Sequence, residues 1–129
     1  MIYYFTPYSL EKDYFRAIDN HFAIVEPRDW VFILDGDTAF LRSDFGQRIE
    51  EYVRKYPETG LFTCYASRCH YQCQQGSPAD MDNDSILFHK KRADLFDLKF
   101  RGQVEVINRR IAGHLMGIKA ETWYRIRMK

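Results

Sequence analysis

At 129 residues the chain has room for one domain and one core, with about two-thirds of the unfolded surface buried on folding. Hydrophobic residues at 46% and charged residues at 29% are an ordinary globular composition and argue against disorder. Nineteen basic against eighteen acidic residues leave a formal charge of +1, without the clustered uncompensated cations that duplex nucleic acid requires.

No apolar run approaches the roughly 20 residues needed to span a bilayer. Met1 to Tyr8 lacks a basic region and a small-residue cleavage pattern, so no secretory leader is expected there. Three cysteines within one ten-residue stretch (Cys64, Cys69, Cys73) suit a reducing compartment, and a cytoplasmic location is the expectation.

Ile2 to Phe5 is a short β-prone run stopped by Thr6-Pro7. Ser9 can cap a helix, and Leu10, Tyr14, Ala17, Ile18 and Val25 follow helical spacing, which predicts a helix over residues 10–25. Trp30 to Leu34 is uninterruptedly apolar, as a strand covered on both faces should be. Ser43 is placed to cap the next helix, whose stripe is Phe45, Ile49, Tyr52, Val53 and Tyr56; Pro57 closes it. Leu61 to Tyr65 reads as a further strand. Ala66 to Asp84 is polar and irregular, and a loop of that length is usually functional or mobile. Asp84 is expected to cap a helix running to about Leu98. Ile111 to Lys119 reads as a strand leading into a helix at Glu121-Thr122-Trp123. Strands alternating with helices predict an α/β fold, a small and mostly parallel sheet flanked by helices.

The chemistry concentrates at Asp35-Gly36-Asp37. Two carboxylates follow immediately on the buried strand, where open α/β sheets bind ligands. A hard divalent cation takes carboxylate oxygens there, and a diphosphate needs such a cation to neutralise its charge. A solvated turn is the competing reading, because Asp and Gly are favoured at strand ends anyway.

The segment Asp29-Trp30-Val31-Phe32-Ile33-Leu34-Asp35-Gly36-Asp37-Thr38 resembles the DxD region of family 2-like, GT-A-fold glycosyltransferases. Thr6-Pro7-Tyr8 with Lys12, then Thr63-Cys64-Tyr65, Arg68 and Asp84/His89/Ala93, resemble other parts of a compact branch of that family. Ile111-Ala112-Gly113-His114-Leu115-Met116, followed by Lys119 and Trp123, resembles its acceptor-side strand. The resemblance implies a reduced GT-A-like domain spanning residues 1–129. It implies Mn²⁺ or Mg²⁺ held by Asp37 with Asp35, and a nucleoside-diphosphate sugar contacted by Thr6, Pro7, Tyr8, Asp35 and Arg68. Asp84, Gly113, His114 and Trp123 would flank the transferred sugar and a carbohydrate or glycan acceptor. Only about 34 residues precede the motif, and the chain ends at Lys129 before the family's Gly-Gly-Phe-like turn and catalytic base. The expectation is therefore a donor-binding domain incomplete on its acceptor side, with no base assigned; Glu105 and Glu121 are unmarked stand-ins.

Other constellations weigh less. Cys64, Cys69, His70 and Cys73 offer soft ligands, but structural zinc sites pair theirs in two knuckles, and here there is one compact group. Asp80, Asp82 and Asp84 alternate as in a calcium loop, yet Ser85 and Lys91 stand where Gly and Glu are required. These aspartates read as a solvated loop and the cap of the next helix. His89 reads as a hydrogen-bonded helix residue, and His114 as a core histidine ahead of a metal ligand.

Three functions compete: a metal-dependent sugar transferase, a non-catalytic donor-binding remnant, and a haloacid-dehalogenase-like phosphatase with Asp35 as nucleophile. The last has Ala39 where its motif wants Thr or Val, and a strand and helix precede it. A small sheet with exposed apolar edges also predicts self-association.

Overall fold

The computed structural model describes residues 1–69, 74–75 and 78–128, and the chain falls into two compact units. The first comprises Met1–Thr38, Glu58–Thr63 and Gly113–Lys129, the second Ala39–Pro57 and Cys64–Ala112.

The first unit is built on one sheet. Its strands are β1 (Ile2–Phe5), β2 (Trp30–Leu34), β3 (Leu61–Phe62) and β4 (Leu115–Lys119), in the order β1-β2-β4-β3. Every residue of β2 is buried, as its apolar run requires. The helices of this unit are α1 (Tyr14–Phe22) and α4 (Ala120–Arg127). Val31, Ile33 and Ile118 pack on one face of the sheet with Phe22, Val25, Ala120 and Trp123. Phe22 is fully buried and stacks on Trp123 at 4.9 Å, a burial that contributes roughly 2–3 kcal/mol for the phenylalanine alone. The Trp123 indole N–H and the Arg127 guanidinium both donate to Asp19, at 2.8 and 2.7 Å, which ties α4 to α1. Those two donors hold the Asp19 carboxyl below the usual carboxylate range. On the other face Phe32 lies between Tyr4 and Trp30, and Trp30 meets Phe62 at 5.3 Å.

The sheet departs from the mostly parallel arrangement expected. Only β1 and β2 are parallel; β4 runs antiparallel to both β2 and β3. A strand buried on both faces reads as the same apolar run in either direction, so its sequence does not report its polarity. The β4 strand is also shorter than residues 111–119, because Gly113 and His114 form a turn ahead of it, and β3 stops at Phe62 rather than Tyr65. Gly117 allows a close approach at the centre of β4: a Cβ there would lie 2.3 Å from Cε1 of Phe32, whose ring crosses the backbone at that point.

Helix starts also differ from expectation. Ser9 Oγ accepts from the Asp13 N–H, and Asp13 in turn accepts from the Arg16 N–H, so α1 begins after Asp13. Lys12, between them, takes a left-handed φ of 60°.

The second unit holds α2 (Phe45–Lys55), a 3₁₀ turn at Pro78–Asp82, and α3 (Ile86–Phe100). Asp44, not Ser43, stands at the start of α2, and its carboxylate is drawn sideways to Arg42 and Arg48. Asp97 of α3 faces the same two arginines and Arg101, so carboxylates and guanidinia join α2 to α3. Ser85, not Asp84, caps α3 by accepting from the Phe88 N–H. Asp80 is not solvated: it is buried, with Arg92 Nη2 3.2 Å away. Gly102, at φ 75°, ends α3 in the left-handed conformation that glycine adopts most readily.

Candidate functional site

The register of the sheet decides which segments meet. Phe5 lies opposite Ile33 in the parallel pair, so the carboxyl ends of β1 and β2 leave the sheet side by side. Leu115 lies opposite Leu34 in the antiparallel pair, so the residues entering β4 arrive at that same end. Three segments consequently converge there: Thr6-Pro7-Tyr8, Asp35-Gly36-Asp37 and Gly113-His114. The junction is direct, since the Asp35 N–H donates to the His114 carbonyl at 3.4 Å. Thr63, leaving β3, reinforces it by donating from its hydroxyl to the Leu115 carbonyl at 2.7 Å.

Asp35 to Thr38 form a tight turn closed by the Thr38 N–H on the Asp35 carbonyl at 3.1 Å. Asp35, Gly36 and Asp37 are exposed, and neither carboxylate makes a side-chain hydrogen bond or ion pair with the described residues. Other acidic side chains (Asp19, Asp29, Asp44, Asp80, Asp97, Glu121) are each engaged by a cation. Gly36 needs no special backbone angle, and a Cβ there would meet nothing within 4 Å. Its place therefore leaves open space beside the two aspartates.

After Tyr8 the chain passes into a shallow hollow of about 290 Å³ lined by Tyr8, Ser9, Glu11, Asp13, Arg16 and Asn20. Arg16 has no ion pair among the described residues, and no sequence signal singles it out, because cations on exposed helix faces are commonplace. His21 of α1 stacks on Phe5 at 4.2 Å, and burial lowers its pKa.

The remaining expected site residues lie elsewhere. Trp123 is in the core, on a helix that starts after Lys119; Lys119 pairs with Trp30, at the end of β2 opposite to Asp35. Glu121 lies in the first turn of the same helix, and its bond with Lys119 lowers its pKa. Arg68 and Asp84 belong to the second unit, where Arg68 donates to the Met81 carbonyl and lies 3.6 Å from Asp84. His89 is buried, its Nε2 donating to the Asn83 carbonyl at 2.6 Å, in keeping with a structural histidine. Glu105 is exposed in the second unit.

Of the cysteine group, Cys69 is buried, while His70 and Cys73 lie outside the described residues. Cys64 reaches the surface, but the protein around its sulfur, with Cys69 nearby, desolvates the thiol and pushes it up to about 11. Among the described residues no three His, Cys, Asp or Glu side chains gather as a ready-made metal cage. A two-carboxylate site is still sufficient for Mg²⁺ or Mn²⁺, since such ions complete their shell with water and substrate phosphates. The hard oxygens of Asp35 and Asp37 fit that role.

No family model, curated protein or solved structure matches the chain.

Proposed function

We propose that the chain binds a nucleoside-diphosphate sugar through a divalent cation at Asp35 and Asp37, as the donor-binding part of a glycosyltransferase-like domain. The observation that supports this reading best is the meeting of two distant segments at one edge of the sheet. Asp35-Gly36-Asp37 and Gly113-His114, the most specific elements of the resemblance, are joined by the bond from the Asp35 N–H to the His114 carbonyl.

In this reading Asp37 holds the cation with Asp35 beside it, and the bound cation would withdraw charge from the departing diphosphate. Thr6, Pro7 and Tyr8 flank the nucleoside, and Arg16 is within the same loop-helix region to meet a phosphate. Gly113 and His114 border the sugar. Arg68, Asp84 and Trp123 take no assigned part, and no catalytic base is named. Donor binding without turnover is the second reading, since the resemblance assigns no residue of the chain to the catalytic base.

A thermal-shift panel of UDP, GDP, CDP and TDP, with and without Mn²⁺, tests the proposal on wild type and Asp37→Asn. Ligand at about 100 times its dissociation constant adds roughly 2.7 kcal/mol. One nucleotide should stabilise only with metal and only with Asp37 present. Equal stabilisation of Asp37→Asn would refute the site. Sugar release from the matching donor would then separate transferase from binding remnant, and phosphate release dependent on Asp35 would point instead to the phosphatase chemistry.

A further inference from the structure

Helix α3 carries exposed leucines on the side turned away from its own contacts. Its inward side carries His89, Arg92, Ala93, Phe96 and Asp97, all at least half-buried. The opposite side carries Leu87, Lys91, Asp94 and Leu98, spaced four, three and four residues apart, which is one straight seam on a helix. Leu87 is 72% and Leu98 75% exposed, and Leu95 widens the apolar surface beside them. Leucines this exposed on an ordered helix leave apolar surface in water that a partner's surface would cover.

The order of residues along the seam identifies the occupant. Read forwards it is leucine, cation, anion, leucine; a second copy laid antiparallel presents the same series reversed. Leu87 then meets Leu98 of the other copy, and Lys91 meets Asp94, with both contacts repeated by symmetry. This is the self-complementary arrangement a two-fold interface needs, in which residue i contacts j and j contacts i. Asp94 is available for it: Arg42 bonds its Oδ1, its Oδ2 takes no bond among the described residues, and the side chain is 65% exposed. Antiparallel packing also sets the two helix dipoles favourably.

We infer that the exposed face of α3 is a homodimer interface, in which two copies pair antiparallel through Leu87, Lys91, Asp94 and Leu98. A helix of 15 residues is about 22 Å long, and one such face buries less than the roughly 1,200 Å² of a standard stable complex. The dimer is accordingly weak and concentration-dependent.

Sedimentation velocity of the full chain, from low micromolar to near-millimolar concentration, should show a monomer giving way to a dimer. Lys91→Glu leaves only anions at the centre of the seam, and Asp94→Lys only cations, so each variant alone should stay monomeric. An equimolar mixture of the two should dimerise again. In the mixed pair the introduced glutamate of the first variant faces the introduced lysine of the second, and the first variant's Asp94 faces the second's Lys91. Circular dichroism and melting of each variant establish that it is folded; Lys91→Glu disturbs no bond among the described residues, which covers any local effect of Asp94→Lys on Arg42. A wild type that stays monomeric throughout, association that persists undiminished in both variants, or a mixture that fails to associate would each overturn the proposal.

Discussion

Replacing Gly117 by alanine tests the part of the sheet on which the candidate site depends. The added methyl would sit 2.3, 2.5 and 2.7 Å from Cε1, Cζ and Cδ1 of Phe32, well inside contact distance. The ring cannot simply swing aside, since Tyr4 and Trp30 flank it at centroid separations of 5.9 and 6.3 Å. Overpacking of this kind costs about 1–3 kcal/mol. Removing a strand glycine returns roughly 0.5–1 kcal/mol, because the unfolded chain loses freedom. The net expectation is a loss of about 1–2 kcal/mol, or a melting temperature lower by roughly 3–8 °C for a chain of this size.

The assay is a double-mutant cycle by urea denaturation with Phe32→Leu. If the clash is the cause, Gly117→Ala should cost nothing in the Phe32→Leu background and return the glycine contribution of roughly 0.5–1 kcal/mol, giving a coupling energy of about 1–3 kcal/mol. Additive effects, or a Gly117→Ala protein as stable as wild type, would refute the placement of the ring over β4. The same variant should weaken metal-dependent nucleotide binding, since Phe32 and Gly117 hold the register that brings Asp35 to His114.

Acidification should act first through His21. Burial lowers its folded pKa, so as pH falls past about 6.5 the unfolded chain takes up the proton before the folded one, and stability drops. Denaturation of wild type at neutral and mildly acidic pH should show that loss, and His21→Phe should flatten it; an unchanged slope would mean another group titrates. Cys64, with its thiol raised from 9.0 to about 11, should be alkylated on the order of 100-fold more slowly than an ordinary cysteine thiol at neutral pH. Site-resolved mass spectrometry after iodoacetamide treatment checks this, and labelling at the ordinary rate would contradict the desolvated thiol. Lys12→Gly should hold or raise stability by up to about 1 kcal/mol, because a left-handed lysine is strained. A clear fall in its melting temperature would contradict the positive φ.

Some elements are plain in the sequence, and others are illegible there for identifiable reasons. The β2 strand is readable because five consecutive apolar residues running straight into two aspartates fit a buried strand and little else. The helix around Ile86 is readable from its spacing, but its cap is not: Asp84 and Ser85 are equally competent acceptors, and only the backbone decides between them. Ser9 and Asp13 pose the same ambiguity, and here both are used in succession. Strand polarity is hidden for β4, and with it the fate of Trp123. In a parallel sheet the helix after that strand would start at the same end as Asp35; reversal sends it to the other. Asp80 escapes notice because a buried aspartate in a polar loop looks no different from a solvated one until Arg92 is seen beside it. Within the candidate site, the aspartates, the Thr6–Tyr8 segment and His114 are legible, whereas their convergence requires the register.

The antiparallel insertion of β4 also sets an order of events during synthesis. Leu34 finds its partner Leu115 about 80 residues later, so at translation rates of roughly 5–20 residues per second the flank of β2 stays open for several seconds. During that interval Trp30 to Leu34 is a nascent strand with an unsatisfied edge and aromatic side chains, the type of segment that chaperones capture and aggregates recruit. The intervening chain can meanwhile assemble its own helices and ionic clusters, because α2 and α3 find their partners among themselves. Closure of the sheet, and with it the joining of Asp35 to His114, comes after those helices have been synthesised, and the candidate site cannot exist on the ribosome before β4 has emerged.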